Sequence, residues 1–329
     1  MLDRNNSLIY DTAIPPVELW RAVDVVPQLR QYCVVGTKRC YGVQLCFEDE
    51  GEEKTNSIRY RVDVRRIADT DSGQCRFQLQ RQEAVYINDQ EPDRLADELA
   101  YKAGQVFYPL NLIVAADGGF LQIDNHADIL KRWPSAPHQL QGYYVGKLVE
   151  DYLCQMDNHL QSFDYVNQSF AHHDWFIQSF FKPIYGDYGD RYERESTYRF
   201  PVLESYVYPG YTVKESLHPY VNDFGAYVVQ HHGHIGADEA WISNDYSAQG
   251  EYHAYLLLHP RFRHILSLVS ALSYKPNGLP AKAVTIKVFL LQDRPLDCDF
   301  QEPKHNLYMS EVPNRGAERK ESIWKKLFN

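Results

Sequence analysis

Ile58-Arg59-Tyr60-Arg61-Val62-Asp63-Val64-Arg65 alternates apolar and polar side chains through eight positions. In an extended strand, successive side chains point to opposite faces. Ile58, Tyr60, Val62 and Val64 therefore share one face, and Arg59, Arg61, Asp63 and Arg65 share the other. This pattern writes an antiparallel sheet with one dry face and one wet face. Cys75-Arg76-Phe77-Gln78-Leu79-Gln80 repeats it and continues towards Val85-Tyr86-Ile87. Tyr41 to Phe47 supplies a strand before both, and the acidic run from Glu48 to Lys54 supplies the turn between.

Working outward, Asp89 to Pro92 starts a helix whose Leu95, Leu99, Ala103, Val106 and Phe107 keep helical spacing. Leu110–Val114 and Phe120–Ile123 flank Asp117-Gly118-Gly119, a hairpin signal because Asp-Gly supplies the positive φ that tight turns need. Ile129, Leu130 and Trp133 predict a short helix ending before Pro134. From about 138 to 181 the spacing is helical. Tyr144, Leu148, Tyr152, Met156 and Leu160 form an apolar stripe, and a second helix over Trp175 to Phe181 takes Asp174 as its N-cap. The Gly-, Asp- and Tyr-rich stretch 183–192 reads as a loop. Strands return over 198–208, 226–232, 252–258, 264–274 and 283–291, with 265–272 also fitting a helix.

The fold class expected is α+β: curved antiparallel β-sheet units packed on helices, with a central helical segment between two β-rich halves. The units are an N-terminal half (1–136), a helical segment with its Tyr/Gly-rich loop (137–195), a C-terminal β-rich half (196–295), and an extended tail with a short basic amphipathic helix (296–329).

The 329 residues carry a formal net charge of −10. That balance argues against general binding to nucleic-acid phosphates. The six cysteines (Cys33, Cys40, Cys46, Cys75, Cys154 and Cys298) form no CxxC pair, so zinc-ribbon and thioredoxin readings fail. Met1-Leu2-Asp3-Arg4 has no basic-then-apolar leader pattern, and no apolar run reaches the roughly 20 residues of a membrane span. A cytoplasmic protein with reduced thiols is expected.

His231-His232-Gly233-His234 is the sharpest chemical cluster. On a strand His232 and His234 face the same way, as two ligands of one metal must, and Glu239 follows at a distance that allows a third. The spacing His232-Gly233-His234, four residues, Glu239 resembles the first metal motif of the cupin β-barrels. That resemblance implies a metal-dependent enzyme or small-molecule binder using these three residues. The sequence departs from the pattern where Ala281 stands in place of the histidine of the second motif begun by Pro276-Asn277-Gly278. His172-His173-Asp174 reads instead as a helix-flanking turn. No Gly-x-Ser-x-Gly elbow, His-Glu-x-x-His helix or Walker A loop is present.

Arg59, Arg61, Arg65 and Arg76, with Arg81 joined to them, form a basic face on the wet side of the sheet. Aromatic residues make up 14% of the chain, with 25 tyrosines. Tyr185, Tyr188 and Tyr192, together with Ile323, Trp324, Leu327 and Phe328 of the basic tail, are the expected partner-binding residues. The leading expectation is a non-enzymatic interaction or assembly protein that needs no cofactor and binds other protein chains in a larger assembly or homo-oligomer. The alternatives are the cupin-like metal site and a carrier of a hydrophobic ligand in a cavity between sheet and helices.

Overall fold

The computed structural model describes residues 21–31, 34–51, 55–70, 72–135, 137, 144, 146–199, 210–235, 248–276 and 280–293. The N-terminal part opens with two short strands, β1 (Arg21–Asp24) and β2 (Gln28–Leu29). Three long strands follow: β3 (Lys38–Asp49), β4 (Asn56–Asp69) and β5 (Cys75–Ile87). Helix α1 (Leu95–Gly104) runs into a single 3-10 turn, Gln105–Phe107, and leads to the hairpin β6 (Leu110–Val114) and β7 (Phe120–Ile123). The helices α2 (His126–Arg132), α3 (Lys147–Gln161), α4 (Phe163–His173) and α5 (Trp175–Phe180) come next. The chain then returns to strands: β8 (Gly186–Asp187), β9 (Glu193–Arg199), β10 (Gly210–Leu217) and β11 (Tyr220–Val221). The last are β12 (Tyr227–Ile235), β13 (Ala248–Leu258), β14 (Ile265–Pro276) and β15 (Lys282–Asp293).

Eleven of these strands form one antiparallel sheet in the order β7-β6-β5-β4-β3-β15-β14-β13-β12-β10-β9. The N-terminal and C-terminal strands join at a seam. There β3 and β15 pair from Asp49↔Lys282 to Arg39↔Asp293 with one register shift. A hydrogen bond crosses between the two sets of strands, from the Tyr41 hydroxyl on β3 to the Ile265 carbonyl on β14 (2.9 Å). Helix α5 packs its rings over this region: Trp175 against Phe47 (centroids 6.0 Å apart) and Phe180 against Tyr41 (5.0 Å). One hydrophobic core runs along the inner face of the sheet and under the helices.

The alternation read from the sequence governs the faces. Ile58, Val62 and Val64 are buried, Tyr60 packs at the core margin, and Arg61 and Arg65 are exposed. Arg59 pairs with Asp89, and Arg76 with Asp124 (3.1 Å), on the outer surface. Asp63 departs from the wet-face pattern: it is buried because it receives Lys38 (2.7 Å) and Gln82 (3.3 Å).

Arg81 is a correction. It falls in phase with the buried Cys75, Phe77 and Leu79, so it sits on the inner face and not with the outer arginines. A β-bulge lies beside it, where Tyr60↔Val85 and Val62↔Arg81 leave three β5 residues opposite one of β4. The stretch 265–272, which also fitted a helix, is strand β14. In α3 the buried face runs through Val149, Leu153 and Leu160. Leu148 of the expected stripe is exposed, and Tyr152 and Met156 lie at the margin. Among the described residues no helix is long and apolar enough to cross a membrane.

Candidate functional site

A cavity of about 220 Å3 lies between β3–β5 and the helices α1, α3, α4 and α5. Its sheet wall is Leu45, Ile58, Tyr60 and Val85, and its helix wall includes Met156, Leu160, Val166 and Phe170. Each wall follows from local pattern. The strand residues are inward-facing members of period-two runs, and the helix residues lie on the buried sides of α3 and α4. Tyr108, Tyr152, His173, Asp174 and Arg81 add polar atoms to the lining.

Arg81 is the outstanding charge. Its guanidinium lies 5.0 Å from the Tyr108 ring centroid and 5.8 Å from that of Tyr101. These rings hold it by cation–π attraction. Its Nη2 is buried and makes no hydrogen bond among the described residues. A Cβ at Gly104 would stand 3.3 Å from Nη2, so the bare backbone at the end of α1 makes room for the guanidinium.

The other ionisable groups of the lining are tuned by burial. Asp174 caps α5 by accepting from the Ile177 N–H (2.8 Å) and from the Phe176 backbone. Desolvation nevertheless raises its carboxyl above the usual range. Burial pushes the Tyr108 and Tyr152 phenols up to about 12 and Tyr60 well above its ordinary value, so all three stay neutral near pH 7. Burial and the neighbouring His172 push His173 down, towards the neutral imidazole. The lining is thus a largely apolar wall with neutral polar tips and one guanidinium that has hydrogen-bonding capacity to spare.

The residues expected from the sequence are placed elsewhere. Tyr185 (5% exposed) and Tyr188 (1%) are core side chains whose hydroxyls donate to the carbonyls of Arg263 (2.9 Å) and Ile184 (2.7 Å). Tyr192 is half-buried and donates to Val25 O (2.8 Å). These rings are therefore used within the chain. Ile323, Trp324, Leu327 and Phe328 lie outside the described residues.

His232 and His234 share the outer face of β12, as their spacing predicts, while Glu239 lies outside the described residues. The neighbour of His232 is His253 across the strand pair, with Nδ1 atoms 3.1 Å apart. Among the described residues no group of three or more His, Cys, Asp or Glu side chains could hold a metal ion.

Sequence reasoning found Asp174 as a cap and missed Arg81 as a site residue. The signal was present: Arg81 follows Cys75, Phe77 and Leu79 in strict alternation, so the alternation itself places a charge on the dry side.

No protein-family model matches this chain, and no curated protein matches it. Among solved structures, one described as "Lipid-protein interactions in lipovitellin" is similar with a TM-score of 0.44 at 9% identity. The match covers 82% of this chain and 26% of that one, so this chain spans about a quarter of its length. At that level of similarity nothing about ligand or role transfers.

Proposed function

We propose that this protein binds a small hydrophobic ligand in the cavity between its sheet and its helices. The helices from 147 to 180 act as a cap over the N-terminal strands. The observation that carries this reading is the cavity itself, about 220 Å3 lined mainly by apolar side chains of β3–β5, α3 and α4. Well-packed interiors hold few voids larger than a water molecule, so a space of this size beside a charged inner-face residue calls for an occupant. It holds about seven waters at roughly 30 Å3 each, which fits a compact or medium-chain molecule rather than a long lipid.

The reading is tested by native mass spectrometry of protein purified gently from its own source, together with binding of the neutral probe 1-octanol. Met156→Trp and Ser169→Phe both place bulk into the lining at half-buried positions. Each is expected to abolish octanol binding while the far-ultraviolet circular dichroism stays unchanged. Octanol affinity that survives both variants would remove the proposal.

Assembly with other chains rests on the sequence argument for the 296–329 tail. The burial of Tyr185 and Tyr188 takes two of its seven named contacts out of exposed surface. The cavity is the better-supported basis for a role.

A further inference from the structure

The geometry points to a ligand with a single carboxylate, its head seated on Arg81 and its apolar body lying along Ile58, Val85, Met156 and Phe170. The inference rests on the cavity reading and narrows it from hydrophobic molecules in general to amphipathic monoacids.

Three observations support it. Arg81 stands on the inner face, where its neighbours in phase are apolar, and its buried Nη2 makes no hydrogen bond among the described residues. A guanidinium stays ionised in any protein setting and presents a planar fork that matches a carboxylate. The local acid is committed elsewhere, because Asp174 spends its oxygens on the backbone amides of α5. The remaining lining groups are neutral phenols and a histidine held towards its neutral form. One positive charge with no second cation beside it suits a monoanion. A phosphate monoester carries nearly two negative charges and would leave one uncompensated in an apolar wall.

Gly104 and the rings of Tyr101 and Tyr108 position the guanidinium without consuming its hydrogen-bonding edge.

The experiment is calorimetric titration of the full chain with octanoate and with 1-octanol, which share a body and differ in the head. The expected result is octanoate binding about ten- to a hundred-fold more tightly than octanol, the range for a hydrogen bond to a charged group. Arg81→Gln is expected to erase that preference and leave octanol affinity in place. Arg81→Lys keeps the charge and loses the fork, so it should retain only part of the preference. This variant and the wild-type comparison decide the matter if Arg81→Gln does not fold. Equal affinity for both probes in the wild type, or a preference that survives Arg81→Gln, would overturn the inference and leave the cavity reading standing. Binding of neither probe would overturn both.

Discussion

Lys182 is buried (4% exposed) just beyond α5, with its ammonium 4.1 Å from the Tyr198 ring centroid and 4.4 Å from that of Tyr252. The nearby Glu215 is fully buried on β10. It holds Arg194 at 2.7 Å, accepts from Tyr198 at 2.6 Å and stands 3.9 Å from His231. Desolvation lowers Lys182 to about 7, and Glu215 opposes that shift. Desolvation also keeps His231 neutral and the Tyr198 hydroxyl protonated, so Lys182 is the member of this cluster that titrates above neutrality. Its folded value lies below the 10.5 of a free lysine. Between about pH 7 and 10.5 the unfolded chain therefore binds a proton that the folded chain has released, and stability rises with pH across that window. The slope approaches about 1.4 kcal/mol per pH unit for one proton. Below the folded value both states carry the proton and the penalty is constant. Lys182→Met removes the titrating group, so its stability relative to wild type should be highest below pH 7 and fall steadily towards pH 10.5. Urea denaturation of both proteins at pH 6, 7, 8, 9 and 10 reads this as a difference in slope, and parallel profiles would refute it.

At the scale of elements, the β6–β7 hairpin shows how a local turn signal is tied to the rest of the fold. Gly118 has φ +94°, and a Cβ there would come within 2.8 Å of the Tyr185 ring and 2.9 Å of the Lys182 carbonyl oxygen. Gly36 has a similar φ of +91° with nothing within 4 Å. Gly36→Ala should therefore cost only the backbone term, about 1–2 kcal/mol. Gly118→Ala adds overpacking against a backbone oxygen, roughly 1–3 kcal/mol more. Equal losses in chemical denaturation would show that the segment at 182–185 yields without strain.

Such pairs mark what a sequence can and cannot tell. The Asp-Gly turn, the alternation at 58–65 and the Asp174 cap are local rules, and each was legible. The cavity is not local: it forms where Tyr60, Arg81 and Val85 meet Met156 and Phe170, residues brought together only by packing. Arg81 was half-legible, because its phase was written in β5 but its charge suggested the outer face. The tyrosines of 183–192 looked available for partners because composition does not reveal that Tyr185 and Tyr188 reach carbonyls inside the chain.

At the scale of the whole molecule, the two β-rich parts expected from the sequence are edges of one sheet. Their junction is the β3–β15 ladder, reinforced by the Tyr41 hydroxyl on Ile265 and by α5 ringed against Tyr41 and Phe47. The strands that close it lie far apart in the chain, so the central pairing must bear the loop-closure entropy of everything between. A chain ending at residue 136 would keep β3 and lose both β15 and α5. It would present a twelve-residue strand with Val43, Leu45 and Phe47 uncovered and a row of unpaired backbone groups, the arrangement that drives edge-to-edge association. The expected outcome is that residues 1–136 expressed alone form soluble aggregates or precipitate. The full chain, in contrast, should unfold in one transition with coincident near- and far-ultraviolet circular dichroism. A monomeric fragment that melts cooperatively, seen by analytical ultracentrifugation and thermal denaturation, would show that the N-terminal strands fold without the seam. In that case the cavity, whose sheet wall those strands supply, would be organised before the helices from 147 onward dock. If the fragment fails as expected, the site exists only once the first and last long strands of the described chain have met, and ligand binding and closure of the sheet become one cooperative event.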